Sequence, residues 1–132
     1  MNRTDLRIEN DRLIRSGYDA FGRGDRGAVA AVFREDAVWH AQDLGVLSGD
    51  HVGWPAVACF FGRTMELTQG SFSVIVEDVL TNETRAAVVV RSQGTREGRE
   101  LDSRQVHLYR IEDGKVAEAW QFAPRDADEF WS

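Results

Sequence analysis

The chain has 132 residues, of which 42% are hydrophobic and four are tryptophan, and its formal net charge is -6. These values predict one folded domain, exclude the disordered class, and argue against a nucleic-acid-binding protein, which would usually carry a basic face. A single cysteine excludes an internal disulfide, and neither an apolar signal region nor a run of about 18 apolar residues is present. We therefore expect a cytoplasmic protein that does not contact membranes.

Three helices are predicted in the first half of the chain. The first is expected to begin at Asn10 or Asp11, whose side chains can cap free backbone N–H groups, which leaves residues 1–9 as a loose N-terminal extension. Asp25 can cap a short second helix. Pro55 fits the first turn of the third helix, where its missing N–H costs nothing.

The second half alternates between polar and apolar residues with a period of two, which is typical of strands. After a first strand near residues 37–41, the predicted strands are 72–80, 84–93, 99–111 and 116–122. Helices followed by such an antiparallel meander predict an α+β fold, with the helices on one face of the sheet. Residues 1–132 are expected to form a single domain, in which the covered sheet provides a small-molecule pocket.

The last hairpin determines which side chains of the long strand face that pocket. Asp113-Gly114 is a typical hairpin turn. If it closes tightly, Val106 lies opposite Gln121, and His107 lies opposite Trp120. A one-residue bulge would reverse this assignment.

Periodicity alone leaves two candidate faces. The first carries Trp39, Ala41, Asp102, Arg104, Val106, Leu108 and Gln121. The second carries His40, Gln105, His107, Tyr109, Glu118 and Trp120. The second face holds more reactive groups, because a histidine titrates near neutral pH and Glu118 could orient it. Its other interpretation is a polar and aromatic surface that packs against a second subunit.

Four segments that span most of the chain share residues with a known superfamily. They are Tyr18-x-x-Phe21-x-x-Gly24-Asp25, Phe33-x-x-Asp36-Ala37-Val38-Trp39-His40, Leu47-Ser48-Gly49-x-x-x-Gly53 and His107-x-Tyr109-Arg110-x-x-Asp113-Gly114-Lys115-Val116-x-Glu118-x-Trp120. In these segments the chain resembles the nuclear transport factor 2-like superfamily, especially its SnoaL-like branch. The resemblance implies a cone-shaped, curved, mixed sheet wrapped around three N-terminal helices, with a deep pocket. It does not imply one reaction, because the fold supports many.

The family's catalytic residues can be carried over only by position. The resemblance to ketosteroid isomerases would place their general base at Ala41, their oxyanion-hole tyrosine at Gly17 and their neutral aspartate at Val106. Polyketide cyclases would place their proton-abstracting aspartate near Gln121. None of these residues can perform the family's role. Of the polar residues of limonene-epoxide-hydrolase-like proteins, only Arg104 would be kept.

The resemblance favours the first face as the site. Its catalytic candidates are Asp102 as a base, Arg104 as a forked donor to an enolate or carboxylate, and Tyr18 as a phenol. The candidate substrate-binding residues are Trp39, Ala41, Phe60, Val106, Leu108 and Gln121. If the strand parity is reversed, the alternative site is His40, His107 and Glu118. No metal and no cofactor is expected, because metal sites normally show denser ligand spacing.

The sequence thus favours a SnoaL-like pocket protein, of the isomerase or cyclase type, that acts on an apolar oxygenated ligand without its relatives' acid and base residues. The alternative is a non-catalytic ligand-binding or dimeric interaction module. The expected partners are a small molecule and a second copy of the chain, with no nucleic acid and no membrane. The homodimer is expected to form through the sheet face at His107, Tyr109 and Trp120.

Overall fold

A computed structural model describes residues 2–132 of the chain. The helices are α1 (Arg3–Arg23), α2 (Arg26–Ala30), α3 (Trp54–Leu67) and α4 (Arg125–Trp131). The strands are β1 (Phe33–Ala41), β2 (Gly49–Val52), β3 (Ser73–Thr81), β4 (Arg85–Arg96), β5 (Arg99–Glu112) and β6 (Lys115–Phe122). A 3₁₀ turn at Gly45–Leu47 lies between β1 and β2. Across residues 2–132, no helix combines the length and the apolar character that crossing a bilayer requires.

Over the described residues, the six strands form one sheet in the order β2-β1-β6-β5-β4-β3. Neighbouring strands are antiparallel except β1 and β6, which are parallel. The sheet is curved and open, and α1 and α3 contact β3 and β1 respectively. The predicted cone-shaped α+β fold with a mixed sheet is confirmed.

Helix α1 begins at Arg3, earlier than predicted, because Asn2 supplies the cap: its side chain accepts a hydrogen bond from the Asp5 backbone N–H at 2.9 Å. Asn10 does not cap the helix. It is buried, and its Nδ2 donates to the Asn82 backbone oxygen at 2.9 Å, which ties α1 to the β3–β4 turn. The predicted loose extension is therefore helical from Arg3 onward.

The other helix starts follow the local chemistry that the sequence predicted. The Asp25 side chain accepts a hydrogen bond from the Ala28 N–H at 3.1 Å and caps α2. Gly24, at a φ of 70°, ends α1 in the left-handed conformation that glycine adopts without steric cost. Pro55 lies in the first turn of α3.

The β5–β6 hairpin contains a bulge that the sequence pattern could not show. Ile111 pairs with Val116 as predicted, but the next pair is Arg110 with Glu118. Ala117 is therefore an extra residue in β6, and both Val116 and Ala117 are buried. Beyond this point every residue of β6 is shifted by one relative to β5.

The bulge overturns the predicted pairing. His107 lies opposite Gln121, and Val106 lies opposite Phe122. His107 is 5% exposed on the concave side, whereas Val106 is 38% exposed on the outer side. The buried residues of β5 are Leu101, Ser103, Gln105, His107, Tyr109 and Ile111. On β5, therefore, the second candidate face points inward.

Candidate functional site

A cavity of about 80 Å³ lies between the concave face of the sheet and helices α1 and α3. Most of its wall is apolar. The Phe, Tyr and Trp side chains that line it are Tyr18, Phe21, Phe33, Trp39, Phe60, Phe61, Phe72, Tyr109 and Trp131. Its other polar side chains are Thr64, Gln105, His107 and Gln121. Among residues 2–132, no Asp, Glu, Lys or Arg lines the cavity. The cavity therefore combines an aromatic wall with a few uncharged polar groups, as small-molecule sites do.

Three polar rings meet at one side of the cavity. The Tyr18 hydroxyl oxygen on α1 lies 2.6 Å from His107 Nδ1 and 2.5 Å from the Tyr109 hydroxyl oxygen. His107 and Tyr109 are two apart on β5, so their side chains share the inward face. Burial raises the pKa of Tyr18 well above its ordinary value, and the neighbouring Tyr109 adds to the shift. Burial likewise raises the pKa of Tyr109, although the hydrogen bond between its hydroxyl and that of Tyr18 opposes the shift.

His107 is neutral at physiological pH, because burial lowers its pKa to about 4. Its Nδ1 is bonded to Tyr18, and its Nε2 has no hydrogen-bond partner among residues 2–132. Two proton arrangements satisfy this geometry. If Tyr109 donates to Tyr18 and Tyr18 donates to Nδ1, Nε2 carries the proton. If Nδ1 donates to Tyr18 and Tyr18 donates to Tyr109, Nε2 presents a free lone pair.

A second chain of hydrogen bonds crosses the cavity wall from β1 to β5. Trp39 Nε1 donates to Gln121 Oε1 at 3.0 Å. Gln121 Nε2 then donates to Gln105 Oε1 at 2.9 Å. Gln121 and His107 are cross-strand partners, so the amides lie beside the histidine. The two networks place all the converging polar groups on β1, β5, β6 and α1.

Several residues of the predicted site do line the cavity. They are Tyr18, Trp39, Phe60 and Gln121. Ala41 is 2% exposed at the end of β1, opposite Gln121, but it is not part of the cavity wall. Their roles in binding or catalysis stay predictions.

Asp102 and Arg104 do not reach the cavity, so the prediction that they face it is wrong. Both lie on the outer side of β5, because the extra residue Ala117 sets the opposite face inward. Arg91 donates to Asp102 through two bonds of 2.6 Å and lowers the pKa of that carboxyl. Arg104 Nε donates to Glu77 at 2.6 Å. These are exposed surface ion pairs, of the kind that contributes little to stability.

Val106 and Leu108 are also on the outer side, so they cannot bind a ligand in the cavity. Val106 pairs with Phe122, and Leu108 pairs with Trp120. These four side chains form one apolar area, called the outer apolar patch below; Val106 and Phe122 are exposed and the other two are partly exposed. The resemblance to ketosteroid isomerases placed their neutral aspartate at Val106, and this position also lies outside the cavity.

The alternative site of His40, His107 and Glu118 is not assembled either. His40 lies on the outer side, where its Nε2 is 2.6 Å from Glu118 and its Nδ1 is 2.7 Å from Asp50. Partial burial lowers the pKa of His40, but the hydrogen bonds to the two carboxylates outweigh it and raise the pKa overall. His107 lies inside, across the sheet. Residues 2–132 contain no group of three His, Cys, Asp or Glu side chains in metal-binding geometry, and the absence of a metal stays a prediction.

Two of the three residues predicted for a homodimer interface are inside the fold. His107 and Tyr109 are 5% and 4% exposed and line the cavity, so the prediction that they form an interface is wrong. Trp120 is on the outer side, where its ring stacks on His40 with centroids 5.6 Å apart. Arg85 lies over the same indole, 5.7 Å from its centroid.

Sequence reasoning missed the contribution of the C-terminal helix. Trp131 of α4 is 2% exposed and lines the cavity. Helix α4 is held in place because Asp128 accepts a hydrogen bond from the Gly45 N–H, and Arg99 donates to the Glu129 backbone oxygen, both at 2.8 Å. The signal was the spacing of Ala127, Phe130 and Trp131, which places three apolar residues on one helical face.

Residues 14–119 match the family model of the SnoaL-like domain. The chain belongs to the SnoaL-like family. This match confirms the predicted SnoaL-like branch. Solved structures of the same fold include two nuclear transport factor 2-like proteins of Burkholderia, each 22% identical with a TM-score of 0.80.

Three similar proteins each align with more than nine-tenths of this chain. Bal32a, from a soil-derived mobile gene cassette, is 30% identical with a TM-score of 0.92, over 96% of this chain and 99% of Bal32a. A protein of cystatin-like fold from Xanthomonas campestris is 28% identical with a TM-score of 0.85, over 92% of this chain and 96% of that chain. An uncharacterized protein of Mycobacterium tuberculosis is 28% identical over 123 residues, which is 91% of this chain and 94% of that protein.

In this SnoaL-like protein, an imidazole, two phenols and two amides converge on the cavity, whereas Asp102, the carboxylate predicted to face it, lies on the outer side. All of these groups are uncharged at neutral pH, since burial holds His107 neutral and keeps both tyrosines protonated. The arrangement can donate hydrogen bonds to an oxygen atom and, through His107, can exchange a proton with a bound molecule.

Proposed function

We propose that the protein binds an apolar, oxygenated small molecule in the cavity and acts on it as an isomerase- or cyclase-type enzyme. One observation carries the proposal: the buried imidazole of His107 lines an aromatic cavity while its Nε2 has no partner among residues 2–132. A buried polar atom without a partner is costly to the fold, and a ligand bound in the cavity would satisfy this one.

In the proposed reaction His107 is the catalytic residue. With Nδ1–H donating to Tyr18, the lone pair on Nε2 takes a proton from a carbon next to a carbonyl group. The electron pair of the broken C–H bond moves into the enolate, whose negative charge stabilises the new imidazolium. Return of the proton to another carbon completes an isomerisation. Attack of the enolate carbon on a second carbonyl of the same molecule forms a ring, and the proton goes to the new alkoxide.

Tyr18 and Tyr109 are positioning residues in this scheme. Their hydroxyl protons can reorient along the chain from His107 to Tyr109, so either tautomer of His107 keeps a bonded Nδ1. The same histidine can therefore accept a proton and later return it. The family's aspartates are absent at Ala41 and Gln121, which leaves His107 to carry the proton transfer.

The test is deuterium exchange at the α-carbons of cyclohexanone and 2-cyclohexenone in D₂O. We expect His107→Gln to slow the protein-catalysed exchange by roughly 100-fold or more, the range of general acid–base catalysis. Asp102→Asn is the matched control, because this carboxyl lies on the outer side and is expected to leave the rate unchanged. Wild-type protein that binds both ketones without exchanging either one would overturn the enzymatic proposal.

That negative result would favour the second candidate, a ligand-binding protein without catalysis. The observation in its favour is that, over residues 2–132, no carboxylate lines the cavity, so the aspartates that carry proton transfer in the relatives have no counterpart in its wall. Under this alternative, native mass spectrometry of the purified protein would show a retained small molecule and no turnover. A cytoplasmic location stays a prediction from the sequence.

We also infer a homodimer that forms through the outer side of the sheet. The outer apolar patch of Val106, Leu108, Trp120 and Phe122 supports it, because adjacent exposed apolar side chains on one sheet face favour association. Ion pairs border the patch, among them Arg104 with Glu77 and Arg91 with Asp102. A second copy of the chain would cover this patch and leave the cavity of each subunit intact.

A further inference from the structure

The two glutamines of the cavity wall have only one possible orientation, and Trp39 sets it. An indole N–H can donate a hydrogen bond but cannot accept one. The Gln121 atom 3.0 Å from Trp39 Nε1 must therefore be the amide oxygen, so the amide nitrogen of Gln121 points toward Gln105. That nitrogen donates at 2.9 Å, so the Gln105 atom that meets it must again be oxygen.

This orientation leaves the amide nitrogen of Gln105 free. Gln105 is 3% exposed and lines the cavity, and its only side-chain hydrogen bond within residues 2–132 is the one that its Oε1 accepts from Gln121. Hydrogen-bonded neighbours prevent the amide from flipping, so the cavity receives an NH₂ group and not a carbonyl. Unlike His107 Nε2, this nitrogen is not a fully buried atom without a partner, so a molecule that enters the cavity can reach it and supply the acceptor.

We propose that Gln105 Nε2 binds a carbonyl or enolate oxygen of the ligand and so determines which ligands the cavity accepts. Trp39 and Gln121 are positioning residues, since they act on the ligand only through the orientation of Gln105. The inference rests on the proposed function for the class of ligand, an apolar molecule that carries oxygen.

The position of Gln105 suits that role. It is two residues before His107 on the same face of β5, so the two side chains start about 6.6 Å apart along the strand. A carbonyl oxygen held by Gln105 would thus bring an adjacent carbon toward His107 Nε2. Because no charged side chain among residues 2–132 lines the cavity, the donor selects uncharged carbonyl compounds over carboxylates and phosphates.

The experiment compares two probes of nearly the same shape, cyclohexanone and methylenecyclohexane. The second has a C=CH₂ group in place of the C=O group of the first. Dissociation constants are measured by NMR titration of the wild type and of Gln105→Met, which keeps the side chain's length but removes the donor. We expect Gln105→Met to weaken cyclohexanone binding about fivefold to tenfold relative to methylenecyclohexane. We expect Trp39→Phe to reduce the same ratio at least threefold, because Gln121 is then free to flip.

Binding of methylenecyclohexane shows that each variant keeps its cavity. If Gln105→Met does not fold, the side-chain amide resonance of Gln105 in the wild type decides: cyclohexanone must shift it and methylenecyclohexane must not. Failure of both probes to bind the wild type would overturn the proposed function, and this inference with it. Binding of both with the same ratio in wild type and Gln105→Met would overturn the role of Gln105 alone. An unchanged ratio in Trp39→Phe would overturn the orienting role of Trp39.

Discussion

His107 links the candidate site to the stability of the fold. Its imidazole is buried among Tyr18, Trp39 and Tyr109, and the pKa of about 4 means that the folded protein resists protonation where the unfolded chain accepts it. A group whose pKa is lower in the folded state destabilises the fold as the pH falls through the unfolded value. A buried neutral base therefore makes the folded protein sensitive to acid.

The first residue-scale prediction concerns this acid sensitivity. Between pH 7.5 and pH 5 the unfolded chain protonates His107, with an ordinary pKa of 6.5, while the folded protein does not. The free energy of unfolding should fall by about 2 kcal/mol from this group alone. In His107→Gln, which does not titrate, that part of the loss should disappear. Urea denaturation at the two pH values measures the difference.

Wild type and His107→Gln share every other titrating group, so their other pH effects cancel in the comparison. His40 is one example: its raised pKa gives stability that is complete below 6.5 and is lost as the pH rises through the folded value. An equal loss of stability in both proteins between pH 7.5 and pH 5 would contradict the assignment of His107 as buried and neutral.

At the scale of elements, α4 closes one side of the cavity by packing very closely on the 3₁₀ turn. Gly45 has a φ of 53°, and a Cβ atom there would lie 2.3 Å from the carbonyl carbon of Trp131. Only glycine allows the left-handed backbone and the contact together. The Gly45 N–H also donates to Asp128, so the same residue both admits and holds the helix.

Gly45→Ala should therefore displace α4. We expect a loss of about 2–4 kcal/mol, because the left-handed backbone strain adds to the overlap with Trp131. Gly22→Ala is the matched control: Gly22 lies in α1, and a Cβ atom there would meet no atom within 4 Å. That change should instead stabilise the protein by about 0.5–1 kcal/mol. Thermal unfolding of both variants checks the pair, and equal effects would argue against the close contact.

Local chemistry predicted much of the fold because it acts within a few residues. Asp25 caps α2, Pro55 opens α3, and the Asp113-Gly114 turn pairs Ile111 with Val116. What failed depended on distant contacts. Asn10 was predicted as a cap, but it lies inside α1 and donates a hydrogen bond to the β3–β4 turn, 72 positions away in the sequence.

The candidate site was harder to predict because its parity depends on the bulge. Neither alternation nor turn chemistry reveals that Ala117 is an extra residue, and both its neighbours in β6 are ordinary strand residues. Trp39 and Gln121 were placed correctly, since their contact joins β1 and β6 and does not depend on the β5–β6 bulge, whereas Asp102 and Arg104 were placed on the wrong side.

At the scale of the whole molecule, the protein separates an uncharged interior from a charged exterior. Trp120 lies at the boundary, with His40 stacked on one side and Arg85 over the ring. Trp120 belongs to the outer apolar patch, so His40 and Arg85 lie beside that patch. A dimer interface centred there would bury an aromatic anchor within a polar rim, as stable interfaces do.

Trp120→Arg should separate the proposed dimer into monomers. The new cation would lie beside Arg85 in the interface, without a partner, and we expect self-association to weaken about 100-fold or more. Ile8→Arg is the control, because Ile8 is also an apolar surface residue but lies on α1, outside the proposed interface. Sedimentation velocity at micromolar concentration distinguishes them, and an unchanged coefficient for Trp120→Arg would rule out this interface.

The extra residue at Ala117 also affects how chains of this fold should be compared. Consider two relatives that differ only in this insertion. If their hairpins are aligned without a gap, residues that line the cavity in one are aligned with residues that face solvent in the other. Apparent substitutions of His107 or Gln105 would then be errors of alignment, not changes of chemistry. Gaps placed at Ala117 are therefore needed before the evolutionary record of this cavity can be read.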